Sequence, residues 1–340
     1  MTTATTGTRL TWMDAVRGTA ILLLLVWHAS AVPELYGQAM PEVVRRVNAV
    51  FMPYRMPTLM LLSGMLLGRS LSKPLPKYYA GKFAMIIWPY VVWVLIAKWT
   101  FLDVAGMPWW HWRAWYATSY LWFLFFIAVF YVVAPALSRL PPWLPVAVAA
   151  AISTVTPAGS TEQRMAYFAV FFFAGDAIAR HPEALAATTR SLRVYWFVLP
   201  VAALAVASSM WTRELHYQVW TAPISLAGMV LLAALFSRTP SSSASSMLLQ
   251  TFGRSSLIYY VSHFPVMALI SMHLASRVEP LALAAINLAA ALAVGWVLAM
   301  TKAHPPVRWL FEAPKAISRK MEKATAFVSR GVKRRPLLES

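Results

Sequence analysis

The sequence predicts an all-α integral membrane protein of about ten transmembrane helices, with both termini in the cytoplasm. Three observations predict it. Of 340 residues, 59% are hydrophobic and only 12% charged, whereas a soluble domain carries roughly 25% charged residues. Apolar runs recur along the whole chain, and a span needs about 20 mostly apolar residues. Lys and Arg alternate in abundance from loop to loop, as the positive-inside rule requires of a multi-pass protein.

The elements follow from apolar runs bounded by Pro, Gly and charge. The first span is 11–31, and the second, 52–68, stops at Arg69. The third, 83–104, follows Lys82, and the fourth, 115–137, stops before Arg139. The fifth, 143–156, lies between Pro142 and Pro157, and the sixth, 164–179, between Arg164 and Arg180. These two are short for a full crossing and read as tilted or shielded. The seventh, 194–211, lies between Arg193 and Arg213; the eighth, 217–237, ends at Arg238. The ninth, 254–274, stops before Arg277, and the tenth runs 280–301 to Lys302. Ser241 to Ser246 reads as a short flexible loop.

With the N-terminus inside, the inner segments hold 21 Lys and Arg and the outer loops 6. The chain divides into a transmembrane domain over 1–301 and a basic cytoplasmic tail over 302–340. In that tail Ile317, Met321, Ala324 and Val328 follow helical spacing among Arg319, Lys320, Lys323 and Arg330. Such an amphipathic helix lies on the anionic inner leaflet of the cell membrane. The formal charge of +18 is therefore assigned to topology and lipid, not nucleic acid. Arg9, Arg17, the apolar run and Ala29-Ser30-Ala31 imitate a secretory signal, but Asp14, Trp27 and His28 fit one poorly.

The chain has no cysteine, which removes thiol nucleophiles and cysteine metal sites. No ligand set with metal-like spacing and no Gly-rich phosphate loop appears. Chemistry is then left to the ionisable residues inside spans, which are costly in lipid and mark function: Arg17, His28, Arg55, Lys98, Asp176, His263 and His273. Arg17 and His28 are eleven residues apart on one helix, or three turns plus about 20°, so they share a face roughly 16 Å apart along the axis. Alone, Arg17 reads as a snorkelling flank and His28 as an interfacial histidine; on one face they read as a cation below and a base above. Asp14 is placed for an i,i+3 pair with Arg17. Glu34 and Asp103 are the carboxylates placed to orient His28. Lys98, Asp176 and His273 read as structural, and Ser63 and Gly64 as small-residue packing.

The stretch Met13-Asp14-Ala15-Val16-Arg17-Gly18 through Val26-Trp27-His28 resembles the first-helix signature of the type 3 membrane acyltransferase family. That signature is an Asp, an Arg-Gly, and an Arg followed by ten residues and a His. Four later segments agree in order: Pro57 to Gly64, ending in Ser-Gly; Ile86-Ile87-Trp88-Pro89-Tyr90; Leu121-Trp122-Phe123-Leu124; and Gly253-Arg254-Ser255-Ser256-Leu257-Ile258-Tyr259-Tyr260-Val261-Ser262-His263.

The resemblance implies transfer of an acyl group, acetyl or succinyl, from cytoplasmic acyl-CoA to a hydroxyl of an extracytoplasmic glycan, glycolipid or similar acceptor. Acetyl-CoA is the expected donor, and no metal is expected. His28 is then the catalytic base, and His263 is a second catalytic candidate, as a donor to the developing oxyanion. Arg17 helps hold the donor, together with Arg69, Lys73, Lys77 and Lys82, where many relatives carry an R-x-x-R pair. The spacing from Arg17 to His28 is comparable to an extended pantetheine arm, on the order of 15–20 Å at near-covalent spacing. Candidates for substrate contact or for the oxyanion are Arg55, Ser256, Tyr260 and Trp122. Arg55, near the outer end, is placed to recognise an anionic acceptor. The rival reading is a transporter of a small anion or proton-coupled solute with Arg17, His28 and His263 along its path. Against it, the sequence shows no half-repeat and no paired broken helices.

Overall fold

In the computed structural model, residues 11–101, 108, 110–211 and 217–333 are described. Among these residues every regular element is helical. Each of the ten predicted spans falls on a helix: α1 Thr11–Glu34, α2 Glu42–Leu71, α3 Leu75–Thr100, α4 Ser119–Leu137, α5 Trp143–Val155, α6 Thr161–Ala179, α7 Pro182–Arg190, α8 Arg193–Trp211, α9 Val219–Arg238, α10 Ala244–Arg254, α11 Ser256–Leu274, α12 Pro280–Thr301 and α13 Lys315–Lys333. Helices α7, α10 and α13 are additional to those ten. Seven helices, α1–α4, α9, α11 and α12, are long and apolar enough to cross a membrane. Large apolar side chains such as Val155, Trp196, Phe197 and Trp296 point outward, as a lipid-facing surface requires.

Several boundaries depart from the apolar runs. Helix α2 starts ten residues before the predicted 52, because Glu42 pairs with Arg45 at 3.3 Å and Arg46 at 3.0 Å. Such i,i+3 and i,i+4 pairs stabilise a polar first turn. Helix α3 starts at Leu75 after Pro74, and a wide π turn at Phe83–Ile87 accommodates Pro89, which cannot donate to the ladder. Helix α6 is 19 residues, not a short segment, because the Ser160 side chain accepts from the Gln163 N–H at 3.0 Å and starts it at Thr161. Ser241 to Ser246 is not a plain flexible loop either. The Ser243 hydroxyl accepts from the Ser246 N–H at 3.3 Å and starts α10. The predicted ninth span accordingly starts two residues later than expected, at Ser256, because the chain breaks at Ser255 between α10 and α11.

Helices α1, α2, α10 and α11 frame the centre. A Cβ on Gly18 would lie 1.9 Å from the Leu249 carbonyl oxygen, and one on Gly253 would lie 1.8 Å from that of Asp14. The two glycines therefore let α1 and α10 touch backbone to backbone. Gly64 and Gly175 do the same for α2 and α6, against Phe172 and Leu61. Gly253→Val must push α10 away from the turn that carries Asp14 and Arg17. Overpacking of this kind costs roughly 1–3 kcal/mol, and thermal unfolding of the purified variant in detergent is expected to show it, with Gly81→Ala, in open space, as the neutral control.

The tail does not stand apart from the bundle. The Trp88 indole donates to the Trp309 carbonyl at 2.7 Å, the Trp93 indole to that of Leu310 at 2.9 Å, and the Ala313 N–H to the Ala84 carbonyl at 3.0 Å. Beyond these, α13 packs beside the first turns of α3, where the Thr325 hydroxyl reaches the Pro76 carbonyl at 3.4 Å.

Candidate active site

The imidazoles of His28 on α1 and His263 on α11 meet, although 235 residues separate them. His28 Nδ1 lies 3.0 Å from His263 Nε2, and both rings are buried, at 8% and 0% exposure. His263 Nδ1 lies 3.0 Å from the carbonyl of Tyr259 one turn below. A carbonyl oxygen only accepts, so a neutral His263 carries its proton on Nδ1 and presents a lone pair at Nε2. His28 must then donate from Nδ1, which leaves the lone pair of its own Nε2 free. Two helices thus fix the tautomer of one histidine.

Aromatic rings hold the pair. Phe264 meets His28 edge-on at 5.4 Å between centroids, and Tyr120 stacks on Phe264 at 4.8 Å while turning its edge toward His263 at 5.7 Å. The Tyr120 hydroxyl donates to the Val261 carbonyl at 2.7 Å, and the Tyr260 hydroxyl donates to the Tyr120 carbonyl. These reciprocal bonds staple α4 to α11 and commit the Tyr260 proton. Tyr120 itself follows an irregular segment in which Ala117 and Ser119 adopt φ of 45° and 46°. Left-handed backbone costs a residue with a Cβ about 1–2 kcal/mol. Here it is held by Tyr90, whose hydroxyl donates to the Trp115 carbonyl at 2.5 Å and accepts from the Thr118 N–H at 3.2 Å.

Arg17 occupies the other end of the same face. Its Nη1 is 3.9 Å from Asp14 Oδ1, and Arg254 Nε reaches Asp14 Oδ2 at 3.4 Å, so one carboxylate ties α1 to α10. Lys82 lies 3.4 Å above the Tyr131 ring and donates to the Ser70 hydroxyl at 3.0 Å. Arg69, Lys73 and Lys77 are exposed. Ser256 opens α11, seven residues and about 10 Å along the helix from His263, at the Arg17 end rather than beside the pair.

Toward the Glu34 end, a cleft of about 220 Å³ opens between α1 and α2, lined by Trp27, Ser30, Glu34, Asn48, Arg55 and Tyr217 among others. Asn48 donates to the Ser30 hydroxyl at 2.8 Å and bridges the two helices. Arg55, 4% exposed, stacks over Trp27 at 4.6 Å.

The arrangement comprises a buried imidazole pair, a cation cluster at one end of the His28 helix and a cleft at the other. The chain matches the acyltransferase domain of type 3 over residues 10–300. It belongs to that family. No curated protein and no solved structure matches it significantly. This membrane acyltransferase therefore carries the family domain over nearly its whole length.

Several positions of the acyltransferase fall differently from the sequence reading. Glu34 lines the cleft, and Asp103 lies outside the described residues; the group that bonds His28 is His263. Trp122 packs against Phe168 at 4.9 Å and under the Arg164 guanidinium at 4.7 Å. Arg164, at the start of the predicted sixth span, turns inward from the first turn of α6. Tyr120, Arg164 and Tyr217 had no separate signal in the sequence, since each sits in an aromatic-rich stretch where packing is the ordinary reading. Asp176 pairs with Arg180 at 2.6 Å, and His273 Nδ1 meets the Leu269 carbonyl at 2.8 Å. Both are local helix contacts. Among the described residues no group of His, Asp and Glu could hold a metal ion.

Proposed function

We propose that the protein moves an acetyl or succinyl group from cytoplasmic acyl-CoA to a hydroxyl of an extracytoplasmic glycan or glycolipid. The Arg17 end of the bundle faces the cytoplasm, in keeping with the distribution of Lys and Arg. The observation that carries the reading is the bond between His28 and His263, because it leaves His28 Nε2 as an unprotonated base inside the membrane. A hydroxyl is a poor nucleophile at neutral pH, and a positioned imidazole removes its proton during attack.

In the proposed step the acceptor hydroxyl approaches through the cleft and gives its proton to His28 Nε2. Its oxygen bonds to the thioester carbonyl carbon, whose electrons move to the oxygen. When that tetrahedral adduct collapses, the carbon–sulfur bond breaks and the leaving CoA sulfur takes the proton back from Nε2. The products are an ester and free CoA. Arg17, with Arg254 and Lys82 around it, is the anchor for CoA phosphates. The helix between anchor and base spans about 16 Å, comparable to the pantetheine arm.

The test is release of free CoA thiol from acetyl-CoA and succinyl-CoA by the purified protein in vesicles. Wild type is expected to release it. Arg17→Ala is expected to raise KM for the donor about 10- to 100-fold with a smaller change in kcat, the range of a lost hydrogen bond to a charged group, about 1.5–3 kcal/mol. A wild type that cleaves neither thioester but moves an anion across the vesicle would establish the transporter reading instead.

A further inference from the structure

Two arginines near the base, one buried and one half-buried, take no part in the proposed step. Arg55 is 4% exposed, and its Nη1 is buried with no hydrogen-bond partner. Arg164 is half-buried, and its Nε is likewise buried and unpartnered. Neither makes an ion pair among the described residues. Instead each guanidinium lies over an indole, Arg55 over Trp27 and Arg164 over Trp122, at 4.6 and 4.7 Å. Tyr217 lies within electrostatic reach of both.

An unpaired buried charge is expensive, and a protein retains one where a partner arrives from outside. The cleft supplies the route, since Arg55, Trp27 and Tyr217 all line it. Trp27 also ties it to the chemistry: its ring is 4.2 Å from that of His28. Among the described residues the one carboxylate on the cleft wall, Glu34, is exposed and makes no ion pair with Arg55.

We infer that Arg55, assisted by Arg164 and Tyr217, seats an anionic group of the substrate beside His28. The inference rests on the acyltransfer reading and narrows it: one of the two substrates carries a carboxylate or phosphate within a few bonds of the reacting atom. Two sources share that chemistry. The charge belongs either to an acidic acceptor or to the far end of a dicarboxylic acyl group.

The experiment compares charged and neutral pairs in wild type, Arg55→Gln and Arg55→Lys. Cleavage of succinyl-CoA against acetyl-CoA reads the acyl source. Calorimetric binding of glucuronate against glucose, and of inorganic phosphate, reads the acceptor source. Wild type is expected to prefer the charged member of one pair at least tenfold, Arg55→Lys to keep part of that preference and Arg55→Gln to lose it. Preference in the CoA pair assigns the charge to the acyl group, and preference for glucuronate or binding of phosphate assigns it to the acceptor. A wild type without preference in either pair and without phosphate binding, or an Arg55→Gln variant that keeps what wild type shows, overturns the inference. If neither thioester is cleaved, the acyl-CoA reading fails by itself, and the calorimetry still decides the anion seat. Thermal unfolding of Arg55→Gln controls for folding.

Discussion

His28→Ala is expected to lower kcat for acyl transfer by about 10³-fold, within the 10²–10⁴ range of positioned general bases. The expectation follows from where the lone pair lies. His28 Nδ1 is 3.0 Å from His263 Nε2, so Nε2 is the ring atom left for the acceptor proton, and alanine leaves no group that can take it. His263 Nε2 keeps a lone pair in this variant, but it lies behind the space that the His28 ring leaves, and its ring is enclosed by Tyr120 and Phe264, out of reach of the acceptor hydroxyl. The substitution leaves the Arg17 anchor, several turns away, in place. KM for acyl-CoA is therefore expected to change only a few-fold while kcat collapses. The loss of one buried hydrogen bond costs roughly 1–3 kcal/mol, a modest shift in thermal unfolding that the same preparation can report. A folded His28→Ala variant that retains a tenth of the wild-type rate would remove His28 from the role of base.

Much of this was legible in the sequence for simple reasons. Composition and hydropathy place a chain in the membrane because lipid tolerates so few charges, and all ten apolar runs are helical. The shared face of Arg17 and His28 is a property of helical geometry alone. What the sequence could not give was the neighbour of each helix. Spacing points to Glu34 and Asp103 at the outer helix ends as the carboxylates for His28, because it measures distance along one helix but not between two. That α10, and α11 directly after it, lie against α1 depends on Gly18 and Gly253 admitting Leu249 and Asp14 backbone, a fit that only tertiary structure displays. The early starts of α2 and α3 and the separate α10 were hidden likewise. Capping serines and local ion pairs extend helices into polar sequence, where hydropathy is silent.

The choice of a histidine as the partner of His28 follows from the same environment. A carboxylate would hold the imidazole more strongly, but it would bring a full charge into the interior of a membrane bundle, where charge is costly. A neutral imidazole offers one acceptor atom and satisfies its other nitrogen within its own helix. Here the Tyr259 carbonyl does so, and Gly295 makes room for the Tyr259 ring, which any Cβ there would meet at 2.3 Å.

His263→Leu is accordingly expected to reduce kcat by about 10²-fold while leaving donor KM nearly unchanged, a second-sphere effect of the size that orienting partners show at imidazole ligands. Leucine fills the volume but accepts nothing. His28 is then free to carry its proton on Nε2, the tautomer that cannot act as a base, or to rotate away from the cleft. His263 acts through His28 and is a positioning residue, so its test needs a readout that packing alone does not move. His263→Gln supplies it: the amide oxygen restores an acceptor within reach of His28 Nδ1, and about a tenfold recovery over leucine is expected at equal thermal stability, the size of one buried hydrogen bond of roughly 1–1.5 kcal/mol. If leucine and glutamine lose activity equally, and both unfold at lower temperature, the residue serves the packing of α1 against α11. If leucine keeps the wild-type kcat, the tautomer of His28 is fixed by something other than His263, and the proposed alignment of the base fails.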